Sequence, residues 1–442
     1  MKVNSSIIRI VGLLGEIPEK SADKLFQKFR DAGYHRDLYP VDANGAKDTR
    51  SLQFLRDYFY PNFRNLMFLR DNEDETFRYI KLDNQTVSLI YGRNERRRIY
   101  SIGIHKSELY LFKEQIGLFS ISIEIQEENK NLNDISNIIS VVKNFDAELE
   151  NGTLWHHWIS KELLANIPLR STDESIVSSD EYSGSKFKVY SVLDFEHERQ
   201  ERKNHLYDIA TSSPLGAGFG RGFYAPDEQY FDQIMTNRIA VFTNWEAVCL
   251  FDSFCCIGDK NLNEPGSISY ISWDYTYFRI YLYRLFFKYN LYRYNSMINE
   301  ADAKKILLRD QFESFLNKYN IGHISFNFLG NELFNKTGHA LELDKELITF
   351  RERINNLSKV LQEERESKTN NLLQIVTVLS GLSSVAPAID MINQAEQFLQ
   401  WPPIIYYGLV SIIILAIISG IIYYIFPELF KKLWKKRPSN LE

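Results

Sequence analysis

The chain has 442 residues, a formal net charge of −5 and three cysteines. About 340 residues precede its C-terminal apolar segments, which is enough for a large core and room for two domains. The near-balanced charge offers no bulk attraction to nucleic acid. Cys249, Cys255 and Cys256 share one apolar run without a C-x-x-C pair, which reads as reduced core thiols and argues against a disulfide framework or a cysteine zinc site. Phe, Tyr and Trp make up 14% of the residues, so rings must fill much of the core.

The first twenty residues carry one short apolar run, interrupted by Arg9 and followed by Glu16, with no small-residue cleavage site. They do not read as a secretory signal. Strand-like runs follow at 7–14, 66–69, 77–82, 87–91, 99–104, 108–112 and 117–125, with helical patterns at 21–32, 51–59 and 132–143. This predicts a mixed α/β domain over 1–170. The polar stretch 171–185 reads as a surface loop or linker. A second α/β region, 186–330, is predicted from strands at 187–195 and 238–242, an apolar run at 245–257 and bracing helices at 275–294 and 301–319.

Four features have a composition suited to ligand chemistry. In 214–222, PLGAGFGRG, the glycines Gly216, Gly218, Gly220 and Gly222 would let backbone N–H groups approach an anion, with Arg221 as charge partner. The spacing does not match G-x-G-x-x-G, and a plain flexible loop is the competing reading. Arg93, Arg96, Arg97 and Arg98 lie on a turn suited to phosphate or simply to water. In the helix from 275, Tyr281, Tyr289 and Tyr292 alternate with Arg279, Arg284, Lys288 and Arg293. That pattern serves base stacking or a packed face. His156 and His157 with Glu162 lack a second ligand pair and read as structural. No nucleophile-elbow, P-loop or H-E-x-x-H motif is present, so the chain reads as a binding protein and not an enzyme.

Leu343, Leu347, Phe350, Ile354, Leu357 and Leu361 follow a four-three spacing, the seam of a coiled coil or bundle. A stalk helix over 339–371 and a first membrane span over 372–393 are expected as one continuous helix, on the order of 60 Å long at about 1.5 Å per residue. Asn371, Gln374, Thr377, Gly381, Ser384 and Ala388 form a small and polar stripe on that span. It suits a helix-packing face or, with several copies, a pore lining continued by Asp390 and Asn393. An external loop is expected at 394–403 and a second span at 404–426. A basic tail at 427–442 contains Lys431, Lys432, Lys435, Lys436 and Arg437 and puts the C-terminus on the cytosolic side. The N-terminus is expected to be cytosolic too, in a multi-pass protein of the cytoplasmic membrane.

The stalk, the span ending SSVAPAIDMINQ, the loop AEQFLQWPP, the second span and the tail FKKLWKKR resemble the CorA family of metal-ion channels. The family's Gly-Met-Asn motif is replaced here by Asp390-Met391-Ile392-Asn393. In that respect the chain resembles the CorA-like effectors of type III CRISPR systems, which lack the motif. The resemblance implies a CorA-like homo-oligomer, a pentamer, whose α/β cytosolic domain leads through a stalk into two C-terminal transmembrane helices. It also implies a pore gated by a nucleotide second messenger, a conjugate of S-adenosylmethionine with AMP, in antiviral defence. A divalent-cation transporter for magnesium or cobalt, with the cation as ligand, and a membrane-tethered enzyme are the alternatives. The expected partners are the lipid bilayer, further copies of the chain and a small nucleotide ligand, without direct contact to nucleic acid.

Overall fold

The computed structural model describes residues 1–16, 22–36, 49–68, 76–92, 97–112, 116–170, 184–259, 272–298 and 305–383, with scattered positions between 387 and 419. Residues Met1–Arg351 form one compact unit and Glu352–Glu442 another. Before the first sheet neighbours are complete, the chain runs through β1 (Val3–Glu16), α1 (Ala22–Asp31), β2 (His35–Arg36), α2 (Thr49–Tyr58) and α3 (Pro61–Met67). Next come β3 (Thr76–Tyr91), β4 (Arg98–Phe112), β5 (Ile116–Ile125), α4 (Leu132–Val142), α5 (Trp155–Trp158) and β6 (Lys188–Phe195). Then follow α6 (Arg202–Thr211), α7 (Glu228–Met235), β7 (Arg238–Ile239), β8 (Trp245–Cys249), β9 (Ser253–Gly258), α8 (Phe278–Met297), α9 (Lys305–Tyr319), α10 (Phe328–Ala340) and α11 (Leu343–Ser383).

The described strands form one nine-stranded sheet in the order β2-β3-β4-β5-β1-β6-β9-β8-β7. Only β6 and β9 are parallel, and the crossover between them contains α6, as a parallel pair requires. Because β1 pairs with both β5 and β6, strands from both sides of 171–185 share the same sheet. On one face Ile8, Ile10, Phe119, Ile121 and Val189 pack with Ile135, Ile138 and Val142 of α4 and Leu206 and Ile209 of α6. The other face carries rings. Tyr190 stacks on Phe254 at 4.9 Å, Phe112 stacks on Phe286 of α8 at 3.9 Å, and Tyr281, Tyr283 and Tyr289 are buried. The high aromatic content is spent in this layer.

Two bulges shape the sheet where the sequence suggested strand ends. The expected pairs 77–82 with 87–91 and 99–104 with 108–112 are single long strands. Their register shifts lie between Leu82 and Gln85 on β3 and between Ile104 and Lys106 on β4. Such insertions bend a strand without ending it. Of the apolar run at 66–69, expected as a strand, Leu66 and Met67 end α3, Phe68 caps it and Leu69 lies outside the described residues. A run that short carries no periodicity to decide the matter, and Pro61 at the first helical position starts a helix.

The membrane part of the expected architecture is not upheld. Among the described residues no helix is long and apolar enough to cross a membrane. The two expected transmembrane helices, and with them the membrane and channel reading and the multi-pass placement in a cytoplasmic membrane, are therefore not supported by the described residues. The physical reason is visible in α11. Within its 41 described residues charges run from Asp344 to Lys368, and the apolar stretch from Leu372 is diluted by Gln374, Thr377 and Ser380. Most of the segment expected as the second span, and all of the basic tail, lie outside the described residues.

Candidate functional site: a polar cleft above a buried ion cluster

Arg9 sits in the middle of the apolar strand β1 and is 1% exposed. A buried guanidinium must be paired. Its Nε and Nη2 donate to Asp274 Oδ1 at 2.9 and 2.7 Å, and Nη1 donates to Glu108 of β4. Phe278 covers it, with the guanidinium carbon 4.3 Å from the ring centre. Arg78 of β3 donates to the other Glu108 oxygen at 3.0 Å. Lys106 completes the group, 3.8 Å from Glu108 and 3.5 Å from Asp274.

The sheet register explains how these residues meet. Tyr190, Arg9, Ser122 and Lys106 are cross-strand partners along one row through β6, β1, β5 and β4. Glu108 lies two residues further along β4, on the same side. Burial alone would raise the Glu108 carboxyl, but Lys106, Arg9 and Arg78 outweigh it and hold the pKa far below the usual carboxylate range. Asp274 is likewise lowered. Burial opposes its charge, and Arg9 and Lys106 more than compensate. Burial also works against the Arg9 cation, and Asp274 with Glu108 reverses that effect, so its pKa rises. Among the described residues, Arg9, Arg78 and Lys106 share the two carboxylates of Glu108 and Asp274.

Above this cluster opens a cleft of about 410 Å³ formed by the start of β1, the β4 bulge and the end of β5. Asp274 and Lys106 form its charged floor; Ser5, Ser6, Ser122, His105, Glu124 and Lys130 are among its walls. Ser5 Oγ and Ser122 Oγ are buried and have no hydrogen-bond partner among the described residues. A buried hydroxyl without a partner costs free energy that a ligand group would recover. His105 is the bulged residue of β4, and the bulge aims Lys106 back to the floor beside it.

The glycine turn behaves differently from an anion cradle. Gly216 N and Gly218 N donate to the two oxygens of buried Asp208 at 2.7 and 2.6 Å, so an internal carboxylate occupies the donors that a phosphate would need. Gly218 is also required for packing, because a Cβ there would lie 2.5 Å from the Asn204 carbonyl oxygen. Gly216, Gly220 and Gly222 have positive φ of 101°, 73° and 82°. Arg221 lies over the Phe219 ring at 5.8 Å.

Of the stripe residues, Asn371, Gln374 and Thr377 are exposed on α11, and Thr377 Oγ1 donates to its own helix at Leu373 O. Gly381 lies in the same helix and Asp390 is an exposed helical residue, whereas Ser384, Ala388 and Asn393 lie outside the described residues. So do Arg93 and Arg96 of the arginine turn; Arg98 pairs with Asp134 at 3.3 Å. The tyrosine and arginine pattern of α8 is core packing. Arg279 lies over Tyr275 at 3.7 Å and Arg284 over Phe334 at 3.2 Å. His156 is buried, its Nδ1 2.8 Å from the Phe145 carbonyl oxygen. Among the described residues no three His, Cys, Asp or Glu side chains are grouped to hold a metal ion.

Sequence reasoning missed the cleft because the residues that build it are distant in the chain, with Arg9 and Asp274 beneath it 265 positions apart. The available signal was a charged Arg9 inside an otherwise apolar strand. Comparison with protein families, curated proteins and solved structures finds no match to this chain.

Proposed function

We propose that the cleft binds a small anionic ligand of nucleotide size, and that the chain is a ligand-responsive binding protein and not an enzyme. The observation that supports this reading is the pair of buried hydroxyls of Ser5 and Ser122, without a hydrogen-bond partner among the described residues, in one cleft with the Lys106 ammonium. Lys106 supplies a charge partner for an anion. The serines offer donors and acceptors to hydroxyls, and Glu124 and Asp274 accept from ribose or amino groups. The volume lies within the usual range for a small-molecule site. Glu108 favours binding over catalysis, since a carboxylate held ionised by three cations neither gives nor takes a proton near neutral pH. A nucleotide second messenger fits this chemistry.

The same reading includes self-association through the distal half of α11. Leu372, Leu373, Ile375, Val376 and Leu379 are exposed by 56–63%, and no charged residue occurs from Thr369 to Ser383, so two copies would bring apolar surface together without repulsion.

Calorimetric titration of the full chain with mononucleotides and adenylated conjugates tests the binding reading. Binding is expected, and Lys106→Met should weaken it roughly tenfold or more, as loss of a charged hydrogen bond implies. Absence of binding across the panel, or equal affinity of the Lys106→Met protein, overturns it.

A further inference from the structure

A second group of buried cations lies away from the cleft, where β6, α8 and the β8–β9 turn meet. Lys188 of β6 and Lys288 of α8 are each 1% exposed. Their ammonium groups lie against one ring, Phe251, with Nζ 4.4 and 3.4 Å from its centre. Phe251 is 43% exposed and occupies the middle of the three-residue link between β8 and β9, closed by Leu250 N donating to Ser253 O at 2.8 Å.

The nearest carboxylate is already taken. Asp252 pairs with Lys143 at 2.8 Å. Lys288 donates to Leu341 O at 2.8 Å, and Lys188 has neither a hydrogen bond nor an ion pair among the described residues. Of the six N–H donors on the two ammonium groups, one is used. Cys249 does not supply the missing charge, because burial pushes its thiol up to about 12. Glu342 and Glu346 act on Lys288 only at longer range. Two ammonium groups against one ring in a site of low polarity repel, and an aromatic ring satisfies neither fully.

We propose that Lys188 and Lys288 form a receptor for a small oxyanion, a phosphate or carboxylate group, which enters as the Phe251 ring swings outward. Burial depresses both lysines, to about 8 and about 7, aided by Lys143 and Lys186 at Lys188 and by Lys188 at Lys288, and an anion beside them would restore the ammonium form. The site is separate from the cleft and does not depend on it.

Thermal unfolding of the full chain in phosphate, sulfate or acetate, against chloride at equal ionic strength, is the test. A saturable rise of at least about 2 °C with one of the oxyanions is expected. Lys188→Met and Lys288→Met should each abolish the rise, whereas Lys106→Met should keep it and Phe251→Ala should lower the concentration needed. If the lysine variants do not fold, ¹⁵N-lysine NMR of the unaltered protein serves instead, with two lysine signals titrating below pH 9 and shifting upward on addition of phosphate. The proposal is overturned if no oxyanion stabilises the protein beyond chloride, if the rise persists in Lys188→Met, or if phosphate leaves the lysine signals unmoved.

Discussion

At the scale of single residues, the glycine turn shows how one composition serves two physical ends. Gly218 is fixed by space and Gly222 by backbone angle. A Cβ at 218 meets main-chain atoms of Asn204, which do not move aside like a flexible side chain, whereas at 222 nothing lies within 4 Å and only the φ of 82° penalises a side chain. Gly218→Ala should therefore cost about 2 to 3 kcal/mol by overpacking, and Gly222→Ala only about 1 kcal/mol. Chemical denaturation of both variants measures the difference; equal costs would mean that the packing at Asn204 relaxes. Both needs look alike in sequence, since each is written as a glycine. Arg9 is the opposite case. Its position inside IIRIVGLL announces a buried charge, but its partners are named only once β4 and the segment before α8 are placed beside β1.

At the scale of elements, what was legible depended on whether local periodicity and tertiary placement agreed. Strand runs other than the one expected at 66–69 were legible because apolar alternation and β-branched content are local, and the bulges were not, since a register shift is defined only against a neighbour. For α11 the seam was legible and its partner was not. Leu343, Leu347 and Phe350 are buried within the first unit, where Phe350 packs 4.3 Å from Phe312 and 6.2 Å from Tyr294. That part of the seam serves folding of the same chain. Phe350→Ala should cost about 3 to 5 kcal/mol. Leu373→Glu, at a position 57% exposed, should leave the melting temperature of the first unit unchanged and reduce self-association. Thermal unfolding together with light scattering checks both halves of this contrast. A melting temperature lowered equally by both changes would contradict it.

At the scale of the whole molecule, β1 lies in the middle of the sheet, flanked by β5 and β6. The sheet therefore closes only after β6 is available, and burial on both faces sets the protonation of many groups at once. His205 is buried, neither ring nitrogen makes a hydrogen bond among the described residues, Glu201 lies 3.9 Å from Nε2, and burial pushes the pKa down to about 4. His156 and His197 are lowered as well, again first by burial. Between about pH 4 and 6.5 the unfolded chain thus binds more protons than the folded one, and stability falls as pH falls through this window. Below it the depressed carboxyls of Glu108 and Asp274 extend the loss. Asp208, raised by burial, opposes this trend alone. On the other side Lys288 and Lys188, lowered to about 7 and about 8, leave the folded chain with fewer protons up to about pH 10.5, so stability continues to rise above neutrality. The three cysteines reverse the slope. Unfolded thiols ionise near pH 9, whereas burial keeps Cys249 and Cys255 protonated to about 12 and Cys256 beyond its ordinary value. Maximum stability should then fall near pH 8 to 9, above the usual range for globular proteins. Melting temperatures measured from pH 4 to 10 in a non-coordinating, phosphate-free buffer check this, and His205→Leu should flatten the acid limb specifically. An optimum at or below pH 6 would show that these buried bases are charged in the folded protein.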